Sequence, residues 1–333
     1  MKTDFSSLSL DELCARLCEN KRTLIVYHVR SDADAVGSAF ALREIFRLMN
    51  IPAICACADE VPERLRFLSD DAQGSVLIED GMDIGHERVI SVDSASPAQL
   101  GNIFDMLRKD VDIMIDHHAS GTVYADNYID ASAAATGEII YAIARKLLDY
   151  GKLPFISPRI INCIYAAISS DTGGFRYSNT TPKTHRIAAE LIEAGADAAD
   201  INHKLFESKT QSQMLAEGAA ISGLAKYFGG RVACVCIPYS TKRDLGLEES
   251  DFDTVIDIPR SLIGVEVAFT VRQPNENDLF RVSMRSSSDV DVAAICARFG
   301  GGGHVKAAGC SVTAQNIQIA TVKILEAIEE KLK

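Results

Sequence analysis

Acidic and imidazole side chains are concentrated in four short segments of this 333-residue sequence, and each segment follows an apolar run. In open parallel sheets, ligands bind beyond the carboxyl ends of the strands, so side chains that follow successive strands can meet at one place. We therefore treat the four segments as parts of one candidate site. In chain order they supply His28, Asp32, Asp34, Asp93, Asp116, His117, His118 and Asp171.

The residue types in this set are those of a metal centre. The carboxylates of Asp32, Asp34, Asp93 and Asp171 would repel one another strongly if they shared one site without cations. Two divalent ions would cancel these four charges. Imidazole and carboxylate ligands together suit Mn²⁺, and the same argument allows Fe, Co or Zn. Taken alone, Asp34 has a simpler interpretation, because an aspartate between a strand and a helix is most often an N-cap.

The four segments resemble, in order and spacing, the successive motifs of DHH-family phosphoesterases. A fifth stretch, GGGGHVKAAG at 300–309, resembles the phosphate-binding signature of the DHHA1 domain. Ala33 stands where the family often has glycine, and both carboxylates of that turn remain. The four matching motifs are HVRSDADAVGS at 28–38, VDS at 92–94, DHH at 116–118 and SSDTGGF at 169–175.

The resemblance implies two divalent metal ions, most simply Mn²⁺, held by six ligands. Two such ions lower the pKa of a shared water and so supply a hydroxide that attacks phosphorus in line. The ligands implied are His28 and Asp32 for the first ion, Asp34, His117 and Asp171 for the second, and Asp93 as a bridge.

The resemblance gives the two remaining residues roles beside the metals. Asp116 would accept a proton from a ligand histidine and so fix its tautomer. His118 would lie toward the substrate phosphate, as an electrostatic partner or a general acid. Together with Asp93, these two residues form the predicted catalytic set.

The other end of the substrate is expected in the second half of the chain. Glycines at 300–303 lack Cβ atoms, so backbone N–H groups in a loop could approach an anion. An arginine and a serine after a predicted strand offer a bidentate phosphate donor and a hydroxyl. Taken alone, the arginine would be a solvated strand-end charge and the glycines a flexible loop. The predicted substrate-binding residues are Arg285, Ser286, Gly301, Gly302, Gly303 and His304.

Through the first two-thirds of the chain, short apolar runs alternate with segments whose apolar residues have helical spacing. This pattern predicts a parallel sheet covered by helices. Strands are predicted at 23–29, 53–57, 88–92 and 112–115, and helices at 34–49, 97–108, 132–148, 157–170 and 182–194. After residue 229 the pattern predicts a smaller second α/β domain, with the active site in the cleft between the two. The predicted divisions are a DHH metal-binding domain at 1–196, a helical connector at 197–228 and a DHHA1 substrate-binding domain at 229–333.

Composition narrows the expected partners. The net charge is −12, tryptophan is absent and no aromatic and basic run appears, so long duplex nucleic acid is not an expected partner. No apolar run is long enough to span a bilayer, and no signal-peptide core begins the chain, so we expect no membrane association. Nine cysteines, two pairs of which lie two residues apart in apolar runs, fit buried reduced thiols and a cytoplasmic location, with a zinc site as the weaker alternative. A homodimer is left open.

The function expected from the resemblance is that of a nanoRNase-type phosphoesterase. Such an enzyme hydrolyses RNAs of about two to five nucleotides to mononucleotides, and 3′-phosphoadenosine 5′-phosphate to AMP. A cyclic-dinucleotide or linear-dinucleotide phosphodiesterase would use the same chemistry on another substrate. A RecJ-like exonuclease for long strands, or a nucleotide-binding module without catalysis, is a weaker alternative. A family II pyrophosphatase has a different C-terminal signature.

Overall fold

The computed structural model describes residues 4–69, 76–77, 85–107 and 110–332. It divides into two compact units, Met1–Ser208 and Lys209–Lys333. The division falls inside the predicted connector at 197–228, so that range is shared between the units. The predicted limits of the domains themselves stay a prediction.

The first unit is built on the parallel sheet that the sequence predicts. Its strand order is β3-β2-β1-β4-β5-β6, and all neighbouring strands run parallel. The sequence pattern missed the short edge strands, whose composition is less apolar or whose length is only two residues. The strands are β1 (Thr23–Val26), β2 (Ala53–Cys57), β3 (Val76–Leu77), β4 (Arg88–Val92), β5 (Ile113–Asp116) and β6 (Asp126–Ile129).

Helices of the first unit pack closely around the sheet. A Cβ atom on Gly37 would lie 2.5 Å from the Cys163 carbonyl oxygen, and one on Gly137 would lie 2.6 Å from the Ala167 Cβ. Glycine at these two positions therefore lets two helices approach a third. The helices are α1 (Leu10–Leu17), α2 (Ala33–Leu48), α3 (Ile103–Met106), α4 (Thr136–Asp149), α5 (Pro158–Asp171), α6 (Pro182–Glu193) and α7 (Ala198–Asn202), followed by a π-helical turn at His203–Glu207.

The single helix predicted at 97–108 is wrong. The described part of this range forms a 3₁₀ turn, Pro97–Leu100, and the one-turn helix α3. Gly101 separates them with a φ of 63°, which interrupts right-handed helical geometry. A Cβ at this glycine would lie 2.8 Å from a Val29 methyl carbon, so the break also brings the chain against the segment after β1.

The second unit is the predicted smaller α/β domain, built on a mixed sheet of order β11-β12-β10-β9-β8-β7. Strands β8 and β9 pair in parallel and the other neighbours are antiparallel. The strands are β7 (Leu224–Tyr227), β8 (Val232–Ile237), β9 (Val267–Arg272), β10 (Leu279–Ser286), β11 (Gly302–His304) and β12 (Ala307–Thr313). The helices are α8 (Gln211–Ser222), α9 (Tyr239–Leu245), α10 (Asp257–Arg260), α11 (Val292–Ala297) and α12 (Ile317–Glu329).

Helix α8 lies within the range predicted as the connector. Its Ala216 and Ala220 are fully buried and pack in one cluster with Val235 and Ile237 of β8. This stretch therefore contributes to the core of the second unit. Within the described ranges, no helix combines the length and apolar character needed to cross a membrane.

Candidate metal centre

The predicted ligands of the first unit lie at the carboxyl edge of the parallel sheet. Asp32 is the N-cap of α2, and its Oδ1 accepts the N–H groups of Asp34 and Ala35, both at 3.0 Å. Asp93 directly follows β4, and Asp116 is the last residue of β5. Because β1, β4 and β5 are neighbours in the sheet, their ends bring these side chains together.

The six predicted ligands form two groups, and the Asp93 carboxylate lies between them. Asp93 Oδ2 lies 3.5 Å from His28 Nε2, and its Oδ1 lies 3.7 Å from His117 Nε2. One oxygen of a single carboxylate thus faces each group, which is the arrangement expected of a bridging ligand. The ligand atoms within each group lie within 4.8 Å of one another, in the sets His28, Asp32, Asp93 and Asp34, His117, Asp171. Asp93, His117 and His118 form a third set of the same closeness among the described residues.

Backbone carbonyls orient both ligand histidines. His28 Nδ1 lies 2.9 Å from the Val29 carbonyl oxygen, and His117 Nδ1 lies 3.3 Å from that of Ala133. A proton on each Nδ1 would be donated to these carbonyls and would leave the lone pair on Nε2. In both rings Nε2 is the atom that faces the carboxylates, so it is the atom suited to bind a metal.

Asp34 is fully buried, and it caps a helix other than its own. Its Oδ2 accepts the Thr136 N–H at 2.7 Å, and its Oδ1 accepts the Gly137 N–H at 2.9 Å and the Ser38 hydroxyl at 3.0 Å. The N-cap of α4 is Ala135, whose side chain provides no cap. Asp34 therefore supplies the hydrogen-bond acceptor that the start of α4 lacks. The simpler interpretation of Asp34 as the N-cap of its own helix is wrong, because the N-cap of α2 is Asp32.

Burial and like charges shift the pKa values of the cluster. The pKa of Asp34 is raised well above its usual range by burial and then by the charges of Asp93 and Asp171. Burial also raises the pKa of Asp171, to about 6. Burial alone would lower the pKa of His28, but Asp32 and Asp93 outweigh it and raise that pKa to about 12. The pKa of Asp32 moves the other way, to about 2, because its contacts with His28 and with backbone N–H groups outweigh burial. Without cations, Asp34 and His28 therefore favour bound protons, whereas Asp32 stays ionised.

The donor set fits two divalent ions. Four carboxylates carry four formal negative charges, two imidazoles present Nε2, and the shared Asp93 offers one oxygen to each group. Divalent cations would replace the protons that the cluster otherwise holds, because each ion supplies two positive charges at short range. The structure thus supplies donors for the metals that the sequence predicts, and the metal's identity and the number of ions stay predictions.

Asp116 lies against a different histidine from the one expected. Its Oδ1 lies 2.7 Å from His118 Nδ1 and accepts the His117 backbone N–H at 2.9 Å. Burial alone would lower the pKa of His118, but the hydrogen bond to Asp116 outweighs it and raises that pKa. Asp116 therefore supports the histidine predicted to face substrate, whereas Nδ1 of each predicted ligand histidine faces a backbone carbonyl.

Comparison with known proteins agrees with the motifs. Residues 22–168 match the N-terminal domain of the DHH family, and residues 229–333 match the DHHA1 domain. The chain is 30% identical over 309 residues to the bifunctional oligoribonuclease and PAP phosphatase NrnA of Thermus thermophilus. The aligned region covers 92% of this chain and 89% of that protein. The chain belongs to the DHH family. Its second unit contains the DHHA1 domain.

Two further relatives of this DHH protein are informative. It is 26% identical over 344 residues to the cyclic-di-AMP phosphodiesterase GdpP of Geobacillus thermodenitrificans, covering 97% of this chain and 49% of that protein. A crystal structure of an exopolyphosphatase-related protein from Bacteroides fragilis aligns with a TM-score of 0.86 at 21% identity, over 96% of this chain and 95% of that one. The second comparison establishes the fold alone.

In the DHHA1 domain, the predicted substrate residues Arg285 and Ser286 are the last two residues of β10. Arg285 Nη1 donates to the Met284 carbonyl at 3.0 Å, and the Ser286 hydroxyl donates to the Ser288 carbonyl at 3.0 Å. Both side chains are half-buried. Their polar groups contact near neighbours in the sequence, and their binding of substrate stays a prediction.

The glycine run of the DHHA1 domain is not simply a loop, which corrects the expectation for 300–303. Gly302–His304 form β11, which pairs with β12. A Cβ on Gly301 would lie 2.2 Å from the Gly309 carbonyl oxygen, and one on Gly303 would lie 2.6 Å from that of Ala307. Close backbone approach explains these two glycines. A Cβ on Gly302 meets nothing within 4 Å, and the His304 side chain lies outside the described part of the structure.

Sequence reasoning missed the residues of the DHH unit that hold the carboxylates in place. Ser38, Thr136 and Gly137 contact Asp34, and Thr136 also contacts Asp93. The sequence offers one signal for them: α4 begins after Ala135, a residue that cannot cap a helix through its side chain. An uncapped helix start beside a predicted metal site indicates that a distant carboxylate acts as the cap.

Proposed function

We propose that this protein is a two-metal phosphoesterase that hydrolyses RNAs of about two to five nucleotides to mononucleotides, and 3′-phosphoadenosine 5′-phosphate to AMP. The observation that carries the proposal is the Asp93 carboxylate, which lies between two groups of possible ligands and turns one oxygen toward a histidine of each. The identity to NrnA over 89% of that protein's length supports the substrate class.

Each ligand residue has a defined task in this proposal. His28 and Asp32 would hold one ion, Asp34, His117 and Asp171 the other, and Asp93 both. When bound, the ions would supply a nucleophile at neutral pH and neutralise charge on the phosphate. We propose Mn²⁺ because carboxylates and imidazoles are mixed in both groups.

His118 and Asp116 would act on the substrate side of the centre. Their hydrogen bond at 2.7 Å favours the protonated imidazole and fixes the plane of the ring. A protonated His118 would pair with a phosphate oxygen or give its proton to the leaving oxygen. A carboxylate behind the histidine keeps that proton available without being a ligand.

The DHHA1 domain would bind the distal end of the substrate. Arg285 would pair with a phosphate, Ser286 would donate a hydroxyl, and the backbone of Gly302 and Gly303 would offer N–H groups near His304. The Gly301 N–H already donates to the Cys296 carbonyl at 3.0 Å, so Gly301 would contribute only its small size. Within the glycine run, Gly302 has the open space that an anion needs, because a Cβ there meets nothing within 4 Å. An active site in the cleft between the domains, a cytoplasmic location and a homodimer stay predictions.

A cyclic-dinucleotide or linear-dinucleotide phosphodiesterase is the second candidate. The similarity to GdpP favours it, because the ligand chemistry would be the same for both substrates. That similarity is lower, at 26%, and covers 49% of GdpP, whereas the similarity to NrnA covers 89% of that protein. Hydrolysis of short RNA is therefore the first candidate function. A module without catalysis fits less well, because all six ligand positions are filled.

A substrate panel tests the proposal directly. Purified protein would be stripped with a chelator, reloaded with Mn²⁺ and assayed on RNA and DNA of increasing length, 3′-phosphoadenosine 5′-phosphate, a cyclic dinucleotide and pyrophosphate. We expect activity only after metal is restored, with the highest kcat/KM on short RNA. Full activity of the stripped protein would contradict the metal mechanism, and a preference for the cyclic dinucleotide would favour the second candidate.

A further inference from the structure

We propose that Thr136, the first residue of α4, is a positioning residue that fixes the orientation of the Asp93 carboxylate. Its hydroxyl donates to Asp93 Oδ1 at 3.0 Å. Both residues are buried, with exposed fractions of 0% and 2%. The contact joins two chain segments that are 43 residues apart. The contact can therefore stabilise the fold, and we infer that it also orients the Asp93 carboxylate within the site.

Asp93 needs a fixed carboxylate plane because it serves two groups. Its Oδ2 faces His28 and its Oδ1 faces His117, so a rotation about χ2 would turn both oxygens away at once. Rotation about this carboxylate bond is soft, because it joins a tetrahedral and a planar carbon. The N–H of Asp93 donates to the Ile115 carbonyl at 3.0 Å, and its φ is 53°. These backbone features fix the position of the Asp93 main chain, but they do not fix the plane of its carboxylate.

Thr136 is well placed to hold that plane. Its own N–H donates to Asp34 Oδ2 at 2.7 Å, so one residue contacts the shared carboxylate through its side chain and a second carboxylate through its backbone. The β-branched side chain also restricts χ1. The start of α4 therefore sets the distance between Asp34 and Asp93. This inference rests on the proposed function in one respect: the ions are what Asp93 would bridge.

The test compares two substitutions that differ in one hydroxyl. Thr136→Val keeps the shape and removes the donor, whereas Thr136→Ser keeps the donor. Thr321→Val is the matched control, because Thr321 is also buried and its hydroxyl donates to the Ile317 carbonyl within α12, a helix of the second unit. Binding of Mn²⁺ would be measured by electron paramagnetic resonance, which separates free ions from bound ones and reports coupling between two bound ions.

We expect Thr136→Val to weaken at least one Mn²⁺ affinity by about 10- to 100-fold and to diminish the coupled signal. Thr136→Ser and Thr321→Val should bind two ions with nearly wild-type affinity and spectrum. Circular dichroism would check folding, and Thr136→Ala would replace the valine variant if that variant does not fold.

Two results would overturn the assignment. One is a folded Thr136→Val or Thr136→Ala protein with wild-type affinities and an unchanged spectrum. The other is an equal loss in the serine and valine variants, because the hydroxyl would then not be the feature that matters. If the wild-type protein bound no Mn²⁺ at all, the proposed function would be overturned instead. Asp93 would then have no ions to bridge, so its orientation would have no role in metal binding.

Discussion

The two sets of predicted site residues are held by contacts of different range. In the first unit, Asp34 and Asp93 accept hydrogen bonds from Thr136, which lies 102 and 43 residues away along the chain. In the second, Arg285 Nη1 and the Ser286 hydroxyl donate to carbonyls one and two residues away, while their backbones pair with β9 and β12. Side-chain contacts from distant segments therefore hold two of the predicted metal ligands, whereas pairing within the sheet places the two predicted substrate residues.

This difference predicts how each set responds to mutation. Long-range contacts among buried charges leave little room for adjustment, so a lost ligand should disable the centre. Local contacts at half-buried positions allow side chains to move, so a lost substrate contact should weaken binding and leave the metals in place. The substitutions below test this contrast in order of decreasing expected effect.

Asp93→Asn should abolish detectable turnover. Asparagine keeps the size of the side chain and tolerates the left-handed φ of 53°, so the change removes charge and one acceptor oxygen with little backbone cost. An amide cannot bridge two cations as a carboxylate does. The measurements are kcat with Mn²⁺ and the bound metal per chain, with Asp149→Asn at the exposed end of α4 as control. Wild-type turnover in the Asp93 variant would refute the bridging role.

His118→Ala should lower kcat by about 10²- to 10⁴-fold and leave two metals bound. The reason is that its Nδ1 faces Asp116, so the ring is held as a proton donor to substrate. The same ring atom lies 3.9 Å from Asp93 Oδ1, which also makes a ligand role geometrically reasonable. Metal analysis separates the two roles: the loss of one metal equivalent would make His118 a ligand.

Arg285→Ala should raise KM for short RNAs by about tenfold, the scale of one charged hydrogen bond. It should also flatten the preference for dimers to pentamers over strands of about 24 nucleotides, because the distal contact would be lost. Arg281→Ala on the same strand is the control, since the Arg281 side chain is exposed and Glu249, its ion-pair partner at 3.6 Å, keeps a closer partner in Arg272 at 3.0 Å. If kcat/KM depends on RNA length in Arg285→Ala as it does in the wild type, this residue does not determine the preference for short RNAs.

The same contrast explains what sequence could predict. The sheet of the first unit and the closeness of the six predicted ligands could be anticipated from strand-end motifs and the family resemblance that they carry, because these are local patterns. The role of Thr136 could not, because its partners lie far away along the chain and only the folded sheet brings them together. The hairpin of β11 and β12 was missed for another reason: glycine favours loops by local propensity, and close backbone pairing at Gly301 and Gly303 overrides that propensity.

The smallest effects are expected within the glycine run, where two neighbouring glycines should respond differently to alanine. Gly301→Ala would place a methyl 2.2 Å from the Gly309 carbonyl oxygen, so β11 and β12 would have to separate. We expect a loss of about 1–3 kcal/mol in the stability of the second unit, seen as a lower Tm. Gly302→Ala places its methyl in open space and should leave the Tm nearly unchanged.

Activity then shows whether the run contacts substrate. If the backbone at Gly302 receives a phosphate, its alanine variant should raise KM by a few-fold through crowding of the anion, with kcat and metal content unchanged. Gly218→Ala in α8 is a control, because a Cβ there also meets nothing within 4 Å. An unaltered KM in Gly302→Ala, beside a lower Tm in Gly301→Ala, would contradict a substrate contact at Gly302 and leave close backbone approach as the role of Gly301 and Gly303.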